Sequence, residues 1–384
     1  MSAEKISNFN YNINGFRIEN GILKEYDWYD KCPNIPEGVI AIADNAFMGA
    51  QVESIRIPDG VISIGSNAFS DCAYLESVVI PDSVTEIGSS AFEACESLVN
   101  INLPKGITEI KDKTFCRCLK LAELVIPEGV VSIGEEALET CIHMTRLVLP
   151  STLKSIGAKA LSNQYDLPDI TIPEGVTVIP EFAFFECSHL ESITLPQSLT
   201  SIGKCAFLGC EKLKSIEIPE GVSKIGYGAF DQCSGLEAVK LPKSLETIEK
   251  NSFSQCTALA EVDIPDGVLT IERSAFEGCI MLKSITVPKS VNEIGEKSFS
   301  GCSSLVDAFV PESVVNMGER VFSGCASLSS VTIGAPLTAA LNLFEGCTEL
   351  RDITPKAYYN KFIEKTIRKN CESSLKKKLV FHWD

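Results

Sequence analysis

The sequence predicts a solenoid built from short, stacked, parallel strands. Three observations carry that expectation: a proline that returns on a fixed step, a pair of aliphatic residues just before it, and a phenylalanine and a cysteine at set distances after it. Pro58 recurs as Pro81, Pro104, Pro127, Pro150, Pro173, Pro196, Pro219, Pro242, Pro265, Pro288 and Pro311, always 23 residues on, and Pro36 stands one residue short of that step. A fixed period within about 20–50 residues is the mark of a repeat array, in which each unit stacks only on its neighbours.

The first 34 residues do not carry the repeat. Within them Phe16 to Tyr26 reads as a hairpin, with Asn20-Gly21 supplying the positive φ angles of a type I′ turn. Alternating Phe16, Ile18 and Ile22 are expected to cover the first rung, because an open end would expose both the core and a row of unpaired strand groups. Residues 1–34 are therefore taken as an N-terminal hairpin cap and 35–354 as the solenoid proper, with about 14 repeats.

Take the proline as position zero. Positions −3 and −1 are aliphatic, as in Ile55/Ile57, Val78/Ile80, Leu124/Ile126 and Ile216/Ile218. This alternation predicts a short strand with one buried face. Proline then ends the strand, since it has no N–H for the ladder. Gly60, Ser83, Gly106 and Thr152 at +2 are turn chemistry. Aliphatic residues at +3 and +6, such as Val61 and Ile64, predict a second, shorter strand, with a frequent glycine at +7. Ala-Phe-x-x-Cys over +10 to +14 predicts a tight helical or 3₁₀ turn, and Leu at +17 leads into the next strand. Some rungs depart. Leu138 and Leu161 replace the phenylalanine, Gln164 replaces the cysteine, and Lys111, Pro180, Glu249 and Glu272 replace the +7 glycine. Proline cannot take a positive φ, so that slot does not require a left-handed residue. The stretch 138–168 reads either as a bend that shapes a site or as ordinary drift in an array. Beyond the last rung, Tyr359, Phe362, Ile363, Thr366 and Ile367 recur at helical spacing opposite a basic face. Residues 355–384, with eight Lys/Arg against three Asp/Glu, are taken as a basic capping helix and tail.

Sixteen cysteines would suggest disulfides in a secreted chain. Eleven of them, including Cys72, Cys95, Cys118 and Cys141, occupy the same +14 slot, so none has a unique partner. They are expected as a reduced, buried ladder of thiols donating to turn carbonyls. Apolar content of 45% and charged content of 22% describe a folded protein rather than a disordered one. A net charge of −17 disfavours nucleic acid as a partner. No apolar run approaches the roughly 18 residues of a membrane span. Met1 to Asn12 contains no apolar leader, so the expected location is the cytoplasm, or the cell surface or exterior if a leader has been removed.

The pattern Leu-x-x-Ile-x-Ile-Pro-x-Gly/Ser-Val-x-x-Ile-Gly-x-x-Ala-Phe-x-x-Cys resembles the BspA-type leucine-rich repeat. It stands as Leu75, Val78, Ile80 and Pro81, running on to Ile87-Gly88, Ala91-Phe92 and Cys95, and it covers roughly residues 35–354. The resemblance implies a right-handed leucine-rich-repeat solenoid of 23-residue repeats. Short parallel β-strands with turns or 3₁₀ segments would dominate, with little α-helix except the C-terminal cap. It further implies a parallel sheet on the concave face, protein binding, frequent surface location among microbes, and no shared catalytic residues.

The residues themselves offer no catalytic constellation. His143 and His189 share one slot two rungs apart, which is on the order of 10 Å and too far for one metal without a third ligand between them. Cys116-Arg117-Cys118 is too tight for a zinc knuckle, and Cys118 and Cys210 belong to the ladder. Phosphate-binding glycine loops and a nucleophile elbow are absent from the sequence. No cofactor is expected. If −3 and −1 face inward, −4 and −2 face outward on the concave sheet. The candidate partner-binding residues are Val79, Val125, Val148, Thr171, Thr194, Glu217, Lys240, Asp263 and Phe309 at −2, with Glu123, Arg146 and Asp307 at −4. Valines and threonines there also suit strands for their own sake. The expected function is a non-enzymatic scaffold that binds another protein and is a monomer or weak homo-oligomer. A self-associating adhesive or structural surface protein is the alternative. A carbohydrate-active enzyme on a β-helix is the remote one, since such coils need two or three comparable strands.

Overall fold

The structure, a computed structural model, describes residues 11–27, 29–334, 342–355, 364, 365, 368 and 379–382. The capping helix expected over 357–369 lies for the most part outside the described residues, of which Glu364, Lys365 and Arg368 are helical. Contacts gather into two compact units, Met1–Pro196 and Gln197–Asp384. Each is a β-solenoid of short parallel strands.

The first unit opens with Tyr11–Ile13 paired antiparallel to Phe16–Glu19, which pairs antiparallel in turn with Ile22–Tyr26. The turn between the latter two holds Asn20 at φ 53° and Gly21 at φ 77°. Ile22–Tyr26 then pairs in parallel with Ala41–Ile42, so the hairpin joins the array by its second strand. The inward set differs from the expected one. Phe16, Ile18, Leu23 and Tyr26 are buried, whereas Ile22 is only half-buried. The two-residue turn is the reason, since it sets Leu23 opposite Ile18 and Ile22 opposite the outward Glu19, and the register shift between Arg17 and Ile18 then brings Tyr26 opposite Phe16.

Each full rung has three layers. The first is the strand before proline: Ser54–Arg56 pairs with Ser77–Val79, and Glu123–Val125 with Arg146–Val148, residue against residue one period on. The second is a two-residue strand over +5 and +6, as in Ser132–Ile133 against Ser155–Ile156. The third is the Ala-Phe-x-x-Cys segment, which forms tight hydrogen-bonded turns with i→i−3 bonds but no continuous helix. Its N–H groups alternate in direction. Those of Ala68, Ser70 and Cys72 donate three residues back, while those of Asn67, Phe69 and Asp71 donate to Ser89, Ala91 and Glu93 of the next rung. A helix would keep all six within the chain segment. The alternation requires left-handed residues at +9 and +13, and Asn67 and Asp71 have φ of 53° and 59°. The same two slots are left-handed at Lys113 and Arg117, Glu136 and Thr140, and Asn251 and Gln255.

The interior is columnar. In the first unit Phe69, Phe92 and Phe115 stack with centroids 5.3 and 5.7 Å apart and rings within 4° of parallel. In the second, the column runs Phe207, Phe230, Phe253, Phe276, Phe299, Phe322 and Phe344 at 5.2–6.0 Å. The ladder thiols donate as expected: Cys95 Sγ lies 3.1 Å from the Phe69 carbonyl, Cys118 Sγ 3.2 Å from that of Phe92, and Cys256 Sγ 3.2 Å from that of Phe230. Gln164 keeps this role in its own rung, its Nε2 donating to the Leu138 carbonyl, but its buried Oε1 has no partner. The +7 glycine is explained by proximity: a Cβ on Gly88 would sit 2.4 Å from the Ser66 nitrogen of the preceding rung.

Candidate functional site

With the backbone engaged in ladders and the aliphatic, aromatic and thiol columns buried, chemistry is left to the outward columns. The −2 and −4 side chains stand on short strands whose direction is set by the buried −3 and −1 neighbours. In the first unit Val79 and Val125 are 49% and 53% exposed. Val148 lies directly opposite Val125 in register and is half-buried. Thr171 and Thr194 are likewise opposite one another and exposed. Glu123 and Arg146, also in register, approach to 3.6 Å.

In the second unit Glu217 and Lys240 pair in register, with Nζ 2.9 Å from Oε1. The hydrogen bond from Lys240 holds the Glu217 carboxyl below its ordinary range, and the same contact raises the ammonium. Asp263 is exposed but stands outside any strand, because its rung keeps only an isolated bridge from Glu261 to Ala238. The next strand, Ser284–Thr286, pairs onward with Asp307–Val310. Asp307 is exposed and Phe309 half-buried. A hollow of about 300 Å³ opens at the interrupted rung, lined by Glu261, Asp263, Asp266 and Thr286 among others. Two further hollows flank Phe309 and share Lys289. The structure thus brings Val125 to Val148, Glu123 to Arg146, Thr171 to Thr194 and Glu217 to Lys240. Within the second unit it places Asp263, Asp307 and Phe309 in one neighbourhood, and Val79 stands on a separate three-strand sheet of the first unit.

Reading the −2 and −4 columns alone missed Asp266 and Lys289 at +1, which line the hollows beside Phe309. It also missed Asp166, which occupies the rung between the two histidines. His143 Nδ1 lies 2.9 Å and His189 Nδ1 3.4 Å from its two carboxylate oxygens. The hydrogen bond from His143 holds the Asp166 carboxyl below its ordinary value. The step of 23 residues from His143 to Asp166, and again to His189, was the available signal. Among the described residues no group of three or more His, Cys, Asp and Glu is arranged to hold a metal ion. Cys116 faces Glu139 at 4.0 Å, and burial pushes its thiol up to about 12. Among the described residues no helix is long and apolar enough to cross a membrane.

Comparison with known proteins agrees with this architecture. The model of the BspA type leucine rich repeat region matches residues 40–167, 154–283, 224–351 and 269–377. A leucine-rich repeat protein from Bacteroides ovatus is similar over 98% of this chain and 97% of its own, with 30% identity and a TM-score of 0.80. A leucine rich cell surface protein from Faecalibacterium prausnitzii is 26% identical, with 94% of this chain and 97% of its own covered and a TM-score of 0.54. A leucine-rich repeat protein from Eubacterium ventriosum, 20% identical with 77% and 86% covered and a TM-score of 0.50, shares the fold. No curated protein matches the chain. A 23-residue rung repeated with its proline, phenylalanine and cysteine columns, and a matching family model over most of the chain, make this a member of the BspA-type leucine-rich repeat family.

Proposed function

We propose that the chain is a non-enzymatic scaffold that binds another protein through the outward face of its pre-proline strands. One observation supports this above the others: the side chains at −4 and −2 stand outward in register from rung to rung, on strands whose −3 and −1 neighbours are buried. An ordered platform of this kind loses little conformational entropy on binding, so modest side-chain contacts suffice for affinity. Exposed apolar groups at Val79 and Val125 are the sort of surface that docking removes from water.

The test is a double substitution, Val125→Lys with Val148→Lys, on the full chain. Capture of a partner from the native source, identified by mass spectrometry, should be lost while the circular dichroism spectrum is unchanged. Capture that persists refutes the role of this face. A second reading, adhesion or self-association at a cell surface, draws support from the Faecalibacterium relative, which is described as a cell surface protein. Light scattering across a concentration series separates them, since only self-association gives a mass that grows with concentration.

A further inference from the structure

We propose that the outward face of the rungs around Asp263, Thr286 and Phe309 takes a basic, extended segment of the partner protein, with an apolar side chain beside Phe309. This rests on the scaffold reading and adds the chemistry of the partner to it. On these faces two acidic residues pair with a basic one a period away, Glu123 with Arg146 and Glu217 with Lys240. Around Phe309 no such pair forms, although Lys289 stands one period from both Asp266 and Glu312. Among the described residues Glu261, Asp263, Asp266, Asp307 and Glu312 make no ion pair within 4.0 Å. Glu261, Asp263 and Asp266 share one rung, and Asp307 and Glu312 stand two rungs on. In the same columns the rung between carries only Lys289 as a cation, so five carboxylates face one ammonium, an excess that a cationic ligand relieves.

Shape points the same way. The strand ladder is interrupted at Asp263, and the hollow there is walled by Glu261, Asp263 and Asp266. On the next rungs Phe309 and its flanking prolines, Pro288 and Pro311, line two more hollows of about 600 and 450 Å³. One departure in the turn chemistry falls in this place. The +2 hydroxyls of Ser83, Thr152, Ser244 and Ser290 each donate to a carbonyl of the preceding rung. Ser313, which lines a Phe309 hollow, has its hydroxyl buried without a partner. An extended peptide presents alternate side chains to one face. Lysine or arginine at every second position would meet the carboxylates, and their aliphatic stems or an interposed apolar residue would fill the hollows.

The probe is a fluorescein-labelled peptide alternating lysine and valine, with the glutamate–valine peptide as control. Polarisation titrations use the full chain between about 0.1 and 1 M salt, over which the screening length falls from about 10 to 3 Å. The lysine peptide should bind and the glutamate peptide should not. D263N with D266N, and F309T, should each weaken binding about tenfold or more. Threonine already occupies this column at Thr286 and Thr332, so F309T is expected to fold. D59N, at an exposed turn position of the first unit, should leave peptide binding unchanged. Absence of binding at the lower salt, or binding indifferent to D263N/D266N and F309T, overturns the proposal. Should a captured partner be lost with V125K/V148K but kept with F309T and D263N/D266N, the scaffold reading stands and this inference fails.

Discussion

Raising the pH from about 7 to about 10 should unfold the repeat array through its thiol column. Cys72, Cys187 and Cys279 have an ordinary value of 9.0 and are pushed up by burial to about 12 in the rung. Burial likewise raises Cys95, Cys118, Cys141, Cys233 and Cys256. The unfolded chain therefore loses these protons first as pH rises. Their contribution is intact below 9.0 and is lost as pH climbs from there through about 12. At pH 10 each thiol costs about 1.4 kcal/mol, and eight of them about 11, against a typical stability of about 5–15 kcal/mol. Halving that figure still removes much of the stability. The assay is urea denaturation at several pH values, with a phosphine reductant to keep thiols reduced, followed by circular dichroism. The unfolding free energy should fall ever more steeply above pH 9, approaching about eight protons released on unfolding. The double variant C95S/C118S should lower the limiting slope by about two protons. A midpoint that does not move between about pH 8 and 10 would refute the thiol account.

Three further outcomes follow from packing. Phe253, buried and stacked 5.4 Å from both Phe230 and Phe276, should cost about 3–5 kcal/mol as alanine but only about 1 as leucine in thermal melts, since Leu138 and Leu161 fill the same slot. Gly88→Ala drives a Cβ to 2.4 Å from the Ser66 nitrogen and should cost about 1–3 kcal/mol, and an unchanged melting temperature would show that the rung yields freely. Gln164→Cys with Leu161→Phe removes a buried, unpartnered carbonyl oxygen while restoring the stack and thiol, and should stabilise by about 1–3 kcal/mol; a lower melting temperature contradicts it.

The strand before proline, the short second strand and the thiol donors were legible because each recurs at one position and each side chain has one inward use. The turn geometry was not. At +9 Asn67 and Asn251 suit a left-handed slot, but Lys113, Glu136 and Phe182 in the same column carry no turn signal, and only the tertiary ladder imposes φ > 0 on them. At +13 the signal was present, in Gly209, Gly278, Gly301, Gly324 and Gly346, but Arg117, Thr140 and Glu186 in the same column masked it. The face of Ile22 differs from the expected one because alternation does not carry across a two-residue turn, which pairs Ile22 with outward Glu19 and Leu23 with Ile18. The outward columns were legible, yet the pairing of their side chains was not drawn from the sequence, although Glu123 and Arg146 stand one period apart. The gap at Asp263 is a backbone event: its rung carries the same aliphatic pair, Val262 and Ile264, as its neighbours.

One-period pairing also acts at the turn. Lys113, Glu136 and Lys159 occupy successive +9 slots, and Glu136, with its side chain only 14% exposed, meets both ammonium groups, at 3.1 and 2.8 Å. The hydrogen bond from Lys159, with help from Lys113, holds the Glu136 carboxyl below its ordinary 4.5. A depressed carboxyl stabilises the fold above its unfolded value, and that share is lost as pH falls through the lowered one. Glu136→Gln should therefore melt below wild type at pH 7, by about 1–2 kcal/mol for a carboxylate so enclosed, and the two proteins should converge in strong acid. Glu136→Lys should cost more, because three ammonium groups then share one column at a spacing of roughly 5 Å. Reversing the neighbours as well, with Lys113→Glu and Lys159→Glu, should recover most of that loss. If the triple exchange is no better than Glu136→Lys alone, charge matching between rungs does not order this edge, and backbone geometry at the left-handed slots must carry it instead.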